Sequence, residues 1–382
     1  MLTFSKYQGL GNDFILMEGR SGQLPTQVHS PDPAWVQRIC DRRFGIGGDG
    51  LILALPPQGD AELRMRIFNA DGSEAEMCGN GIRCLARFLA DSDGDGPGRR
   101  WPIETPAGLI VPELQADGQI CVDMGAPFLE PGSVPTTLNP DARGLPVGEL
   151  NLDGVTLALA AVGMGNPHAI VPVDDLSSIP FERWGAELER HEIFPAKTNV
   201  HFLKVHGPSQ LEIRVWERGA GPTLACGTGA CATLVAAVLL GLSDRQATVN
   251  LPGGPLQISW EKPGASVFMT GPAVAVFDGV LNPELVPSEA VETESPSTVI
   301  GEQTPPASTP SPSESSAGQS LVSETASSQT ASSETGDDCS EEEAQARVQA
   351  FLASTSLDSM INIATESLEE RTLSRFQRDV QP

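Results

Sequence analysis

Short apolar runs bounded by Gly, Pro or Asp recur along the first 282 residues. LTFSKY, LILALP, ELRMRIFN, VTLALAAV, NVHFLKV and QLEIRVW each have about the length of a strand. Helical patterns are fewer: PAWVQRICDR after Asp32, IRCLARFLA from Ile82, FERWGAELER from Phe181 and ACATLVAAVLL from Ala230. The last is apolar on every face, which predicts a buried central helix. The pattern is that of a strand-rich α+β protein.

The chain also repeats itself. FNADGSEAEMCGNG, ending at Gly81, aligns without a gap with WERGAGPTLACGTG, ending at Gly229, at an offset of 148 residues. GNDF at Gly11–Phe14 is echoed by GNPH at Gly165–His168, at an offset of 154. Two halves of one design are expected: residues 1–122, with 273–282 returning to them, and residues 123–272.

Beyond the halves the composition changes. Residues 283–340 contain no aromatic and no basic residue and are dominated by Ser, Thr, Pro and Glu, so they cannot offset their own ordering entropy and read as a disordered linker. Residues 341–382 place Val348, Phe351, Leu352, Met360, Ile361, Ile363 and Leu368 at helical spacing. They read either as a weakly helical tail or as an amphipathic docking segment for the chain's own surface or an unknown partner.

Charge follows the same division. Of the formal −26, −14 belongs to residues 283–382, and the remainder still disfavours a nucleic-acid partner. No apolar run is long enough to span a membrane, and the start lacks the pattern of a secretory signal, so a soluble cytoplasmic protein is expected. Seven cysteines in such a chain predict reduced thiols.

Each repeat sets a Cys directly before Gly-x-Gly, and an apolar helix follows at once. The glycines permit close backbone approach, and the first-turn N–H groups with the positive end of the dipole make an anion site suited to a carboxylate. The same field predicts more thiolate character for Cys78 and Cys226 than for an ordinary cysteine. Two thiols in equivalent halves suit inversion of an amino-acid α-carbon: one takes the proton from one face and the other returns a proton from the opposite face. Fixed N–H dipoles would stabilise the enediolate-like carbanion between these steps, without pyridoxal phosphate or another cofactor. The competing reading is burial of both cysteines as small apolar residues.

Taken together, GLGNDFILM, FGIGGDGL, FNADGSEAEMCGNGIRC, GMGNPH, TNV and ERGAGPTLACGTGAC resemble the diaminopimelate epimerase family, in order over residues 1 to 282. The resemblance implies two pseudo-symmetric domains, each a barrel-like sheet around a central helix, with the site between them, a homodimer, and diaminopimelate of lysine biosynthesis as substrate. It implies Cys78 and Cys226 as the acid–base pair and Asn12, Asn69, Asn166, Asn199, Glu217 and Arg218 as substrate contacts. Gly79, Asn80, Gly227 and Thr228 would hold the reacting carboxylate. Arg218 can meet a distal carboxylate bidentately and Glu217 an ammonium, while His168 is an orienting or acid–base auxiliary, or a structural histidine.

Some relatives have a substrate-contacting Gln where this chain has Gly50, so Gly50 is left out of the site. Gly45, Gly47 and Gly50 spell G-x-G-x-x-G but precede a strand instead of opening a helix, which excludes a dinucleotide site. The cysteine spacings match no zinc pattern, and no metal is expected. The alternatives are another cofactor-independent racemase or isomerase on the same scaffold, or a non-enzymatic amino-acid-binding or scaffolding module, which leaves the paired cysteines unexplained.

Overall fold

A computed structural model of the chain describes residues 1–22 and 24–287. Residues 288–340 of the expected linker and the expected helical tail, 341–382, lie outside the described residues. The first five linker positions are structured: Pro283–Leu285 form a 3-10 turn capped by Asn282, and the Leu285 carbonyl accepts a bond from Trp35 Nε1 at 2.6 Å. Leu285 and Val286 are partly buried against a core cluster that includes Trp35, Val36 and Ile39, so ordered structure runs on past residue 283 to the end of the described residues.

The fold is α+β, with two sheets and few helices. In the first sheet the strand order runs Val274–Val280, Thr3–Gly9, Asn12–Glu18, Gly50–Leu55, Leu63–Asn69, Ile103–Thr105, Gly108–Ile110. The second sheet runs from Asn139–Pro140 through Val155–Gly163, Pro167–Pro172, Asn199–Gly207 and Gln210–Glu217 to Val267–Gly271, then Ile120–Asp123 and Glu113–Leu114. These last two strands, counted with the first half in the sequence, thus hydrogen-bond into the second sheet.

Each sheet curls around one helix. Gly79–Asp93 packs on Thr3–Gly9, Asn12–Glu18 and Ile120–Asp123, and Gly227–Leu240 on strands as far apart in the sheet as Val155–Gly163 and Gly254–Trp260. Leu85, Leu89, Leu234 and Val235 are fully buried, in one core that joins both helices. Gly94 and Gly241 stop the two helices in the left-handed conformation that glycine adopts without a Cβ penalty. Pro33–Cys40 and Phe181–Glu189 cover the outer faces, burying Trp35 and Trp184.

The internal repeat is a repeat of topology. In each half a hairpin is followed by a helical crossover and a strand parallel to the hairpin's second arm: Asn12–Glu18 beside Gly50–Leu55, and Pro167–Pro172 beside Asn199–Gly207. Phe14 pairs with Gly50 and His168 with Asn199, so Gly50 and Asn199 are equivalent positions. In the first hairpin, Leu10 and Gly11 turn with φ of 56° and 83° and set Asn12 opposite Gly9.

Candidate active site

The two Cys-Gly-x-Gly segments meet. Cys78 is the N-cap of Gly79–Asp93, its sulfur accepting the Gly81 N–H at 3.5 Å, and Cys226 is the N-cap of Gly227–Leu240. A Cβ built on Gly79 would stand 3.9 Å from the Gly227 Cα, with the Met269 side chain beside both glycines. A Cβ at either position would press first on the Met269 side chain, 3.1 Å away from Gly79 and 2.9 Å away from Gly227. Both positive dipole ends therefore point into one region, and neither first turn contains an acidic residue to neutralise it.

That region is a half-enclosed cavity of ≈ 750 Å³. Cys78, Gly79, Asn80, Cys226, Gly227 and Thr228 line its floor, and Asn12, Asn69, Asn166 and Glu217 line its walls. Ten of the thirteen residues expected from the sequence are thus brought together. A larger, more open cavity of ≈ 1000 Å³ between Tyr7, Arg20 and Asp278 contains no cysteine or histidine.

Three expected residues do not reach the cavity. Asn199 is buried, donating to the Pro167 carbonyl at 2.9 Å and accepting the Arg218 backbone N–H at 2.9 Å, so its amide braces the turn after Glu217. Arg218 is exposed, one residue from the cavity wall, with its guanidinium on the Ala196 carbonyl at 3.1 Å. His168 is fully buried behind Asn166, bonding Asn166 Oδ1 through Nε2 at 2.7 Å and His201 through Nδ1 at 2.9 Å. Gly50 also lies off the cavity; a side chain there would start 2.5 Å from the Phe68 carbonyl oxygen.

Burial works against the expected thiolate character. Burial pushes the Cys78 thiol up, and although the Gly81 and Asn80 N–H groups pull it back, desolvation is the larger effect. Cys226 is pushed further by burial and by the Glu217 carboxylate, against the pull of Thr228, 3.6 Å away, and the Gly229 N–H. Burial likewise raises Glu217, while the Thr223 hydroxyl, donating at 2.6 Å, opposes that rise. Burial thus favours the neutral form of both thiols over the thiolate.

Residues that the sequence did not single out complete the site. Asn12 donates to Asp49 at 2.7 Å, and Arg42 bridges Asp13 and Asp49 at the cavity mouth. Arg83, fully buried one turn below Cys78, bonds Asn80 and the Gly79 carbonyl. Its only signal in the sequence is a charge on the helix face that it shares with Gly79, Asn80, Ala86 and Ala90. His201 was read as part of a strand, and its contact with His168 depends on a register that the sequence does not specify.

A nitrogen each of His168 and His201 and the sulfur of Cys226 lie within 4.8 Å of one another, but both His168 nitrogens are already bonded, to His201 and to Asn166, and a metal ion held there would have to displace one of those bonds. Both rings are neutral when folded: burial lowers His168 well below 6.5, and lowers His201 from 6.5 to about 3. Below pH ~6.5 the unfolded chain takes up protons that the folded chain refuses, so the pair costs stability as pH falls from 6.5 towards 3. Urea midpoints should therefore drop in that window. His201→Gln, which cannot ionise, should flatten the drop, and an unchanged slope would contradict a neutral pair.

A family model described as diaminopimelate epimerase matches residues 4–129 and 160–276. The chain belongs to the diaminopimelate epimerase family. Within that family, a diaminopimelate epimerase of Prochlorococcus marinus (strain MIT 9313) is 71% identical over 290 residues, spanning 76% of this chain and 96% of its own. One from Acaryochloris marina (strain MBIC 11017) is 56% identical over 281 residues, 73% of this chain and 98% of its own. Among solved structures, a hydroxyproline epimerase from Agrobacterium vitis, with trans-4-OH-L-proline bound, aligns with TM-score 0.54 at 16% identity, over 73% of this chain and 91% of its own. A methylitaconate-delta-isomerase aligns with TM-score 0.53 at 16% identity, over 77% of this chain and 99% of its own. At these identities the likeness is one of fold, and it extends the diaminopimelate epimerase architecture to other isomerases.

Proposed function

We propose that the chain epimerises LL-2,6-diaminopimelate to meso-diaminopimelate in lysine biosynthesis, with Cys78 and Cys226 as the two acid–base groups. The observation that carries the reading is the meeting of two Cys-capped helix starts at one cavity. An α-carboxylate lying between those starts receives N–H groups from both, which puts the α-carbon between the two sulfurs. One cysteine, as thiolate, takes the α-proton while the other, as thiol, gives one to the opposite face; the reverse reaction exchanges their roles.

Thiols raised by burial fit this chemistry. Burial that raises a thiol's pKa also makes its thiolate a stronger base, and Glu217 beside Cys226 can accept the proton that must first leave. As the α-proton departs, charge moves onto the carboxylate, where the fixed N–H groups of residues 79–80 and 227–228 stabilise it without reorganising. Asn12, Asn69 and Asn166 offer neutral donors and acceptors to the amino and distal groups, and Arg218 can turn from Ala196 towards a distal carboxylate. Asn199 and His168 act from behind the wall, holding the Arg218 turn and Asn166.

In this reading the enzyme works in the reducing cytoplasm as a homodimer. Support for the second copy comes from the outer strand Val274–Val280, which exposes Val274, Val276, Phe277 and Val280 along an edge with no strand partner among the described residues. Epimerisation in deuterated water provides the test. Each product molecule is expected to carry solvent deuterium at the inverted α-carbon. Inversion without deuterium would exclude a two-thiol mechanism, and activity only on another amino acid would exclude the substrate.

A further inference from the structure

Arg83 is a fully buried cation with no carboxylate partner among the described residues. Its contacts are Asn80 Oδ1 at 2.9 Å, the Gly79 carbonyl at 3.2 Å, the Pro272 carbonyl at 3.3 Å and the Met269 sulfur at 3.6 Å. Lys6, the other buried Lys or Arg among the described residues, has Asp13 at 2.8 Å. Arg83 also stands in the first turns of its helix, where the dipole opposes positive charge, and the start of the second central helix brings another positive end alongside. A desolvated charge placed against two dipoles is costly unless an anion arrives to meet it.

The guanidinium also sets the direction of a hydrogen-bond chain. Arginine only donates, so Asn80 Oδ1 must accept, and its Nδ2 turns to Asn12 Oδ1 at 3.2 Å and the Ala225 carbonyl at 3.4 Å. Asn12 Nδ2 then donates to Asp49, which only accepts. Because each end of the chain has a single polarity, both amides have one orientation, and the Asn12 carbonyl oxygen faces the Cys78 sulfur at 3.8 Å. Around Arg83 the groups that titrate are the Cys78, Cys84 and Cys231 thiols, and Glu217 acts on Cys78 from the cavity wall.

We propose that Arg83 is a positioning residue: through Gly79 and Asn80 it fixes the first helix start, and its buried charge is the counter-charge for the Cys78 thiolate and the substrate carboxylate. The assignment rests on the epimerase reading for the carboxylate but not for the thiolate. The test compares Arg83→Gln, which keeps hydrogen-bonding capacity without charge, with Arg83→Lys, which keeps the charge. Alkylation of Cys78 by iodoacetamide would be followed against pH and resolved from the other cysteines by mass spectrometry, with folding checked by circular dichroism.

In Arg83→Gln the alkylation profile should move to higher pH, and KM for diaminopimelate should rise about tenfold or more, the worth of one buried charged partner. In Arg83→Lys both should return towards the parent values. A folded Arg83→Gln with the parent profile, or a folded Arg83→Lys displaced as far as Arg83→Gln, would overturn the proposal. Alkylation needs no substrate, so its outcome is separate from the epimerase reading, which fails instead if the unaltered protein does not turn over diaminopimelate.

Discussion

Replacing either Cys78 or Cys226 with Ala is expected to lower epimerisation by about 10³-fold or more, since a positioned acid or base contributes roughly 10² to 10⁴ and inversion needs one on each face. The loss should leave the fold standing. Cys78 is only partly buried, and both helix starts keep their backbone bonds without the sulfur, from Ile82 N–H to the Cys78 carbonyl at 2.8 Å and from Ala230 N–H to the Cys226 carbonyl at 3.0 Å. The two variants should nonetheless differ. Each keeps one sulfur, and that sulfur can still remove and return the α-proton on its own face.

Without Cys78, the stereoisomer whose α-proton faces Cys226 should exchange that proton with deuterated solvent and emerge uninverted; without Cys226, the other stereoisomer should do so. Separating the stereoisomers by chromatography and reading deuterium by NMR checks both halves of the claim. Inversion retained at more than a few per cent in either variant would sink it. The same stereoisomer exchanging in both variants would show that the thiols do not stand on opposite faces.

How much of this could be read from the sequence depends on whether the information was local. The duplication, the four longer helices and the two Cys caps are set by short-range signals: an apolar face, a glycine stop, a repeat without gaps. The cavity floor follows directly, because residues 78–80 and 226–228 are fixed by the helix starts that they open. The failures are non-local. Arg218 and Glu217 are neighbours at a strand end, yet one faces solvent and the other the cavity, because Asn199 on the adjacent strand holds the Arg218 N–H and sets the turn. The helix dipole that favours a thiolate is local to each Cys-Gly-x-Gly segment, whereas the opposing desolvation exists only once both sheets close over the sulfurs. His201 looked like one more residue of a buried strand until the register set it on Gly229.

That last contact sets the second large effect, on stability. Gly81 and Gly229 occupy the same place in the two repeats, but a Cβ on Gly81 would come no nearer than 2.9 Å to the free end of Ile67, which can move. A Cβ on Gly229 would fall 2.2 Å from His201 Cε1 and 2.5 Å from Nε2, in a ring that is fully buried and bonded to His168. Gly229→Ala is therefore expected to cost about 3 kcal/mol, the upper end of overpacking penalties. In Gly81→Ala the ~1 kcal/mol gained from alanine's helix propensity offsets much of a milder clash. Removing the ring should separate strain from any intrinsic need for glycine. The double variant Gly229→Ala with His201→Ala is expected to be more stable than the sum of the single losses, a coupling of about 1–3 kcal/mol between residues in contact. Urea unfolding of the four proteins measures that coupling. Additive losses would mean that the clash at Gly229 relaxes elsewhere, and that the second helix start tolerates a side chain as easily as the first.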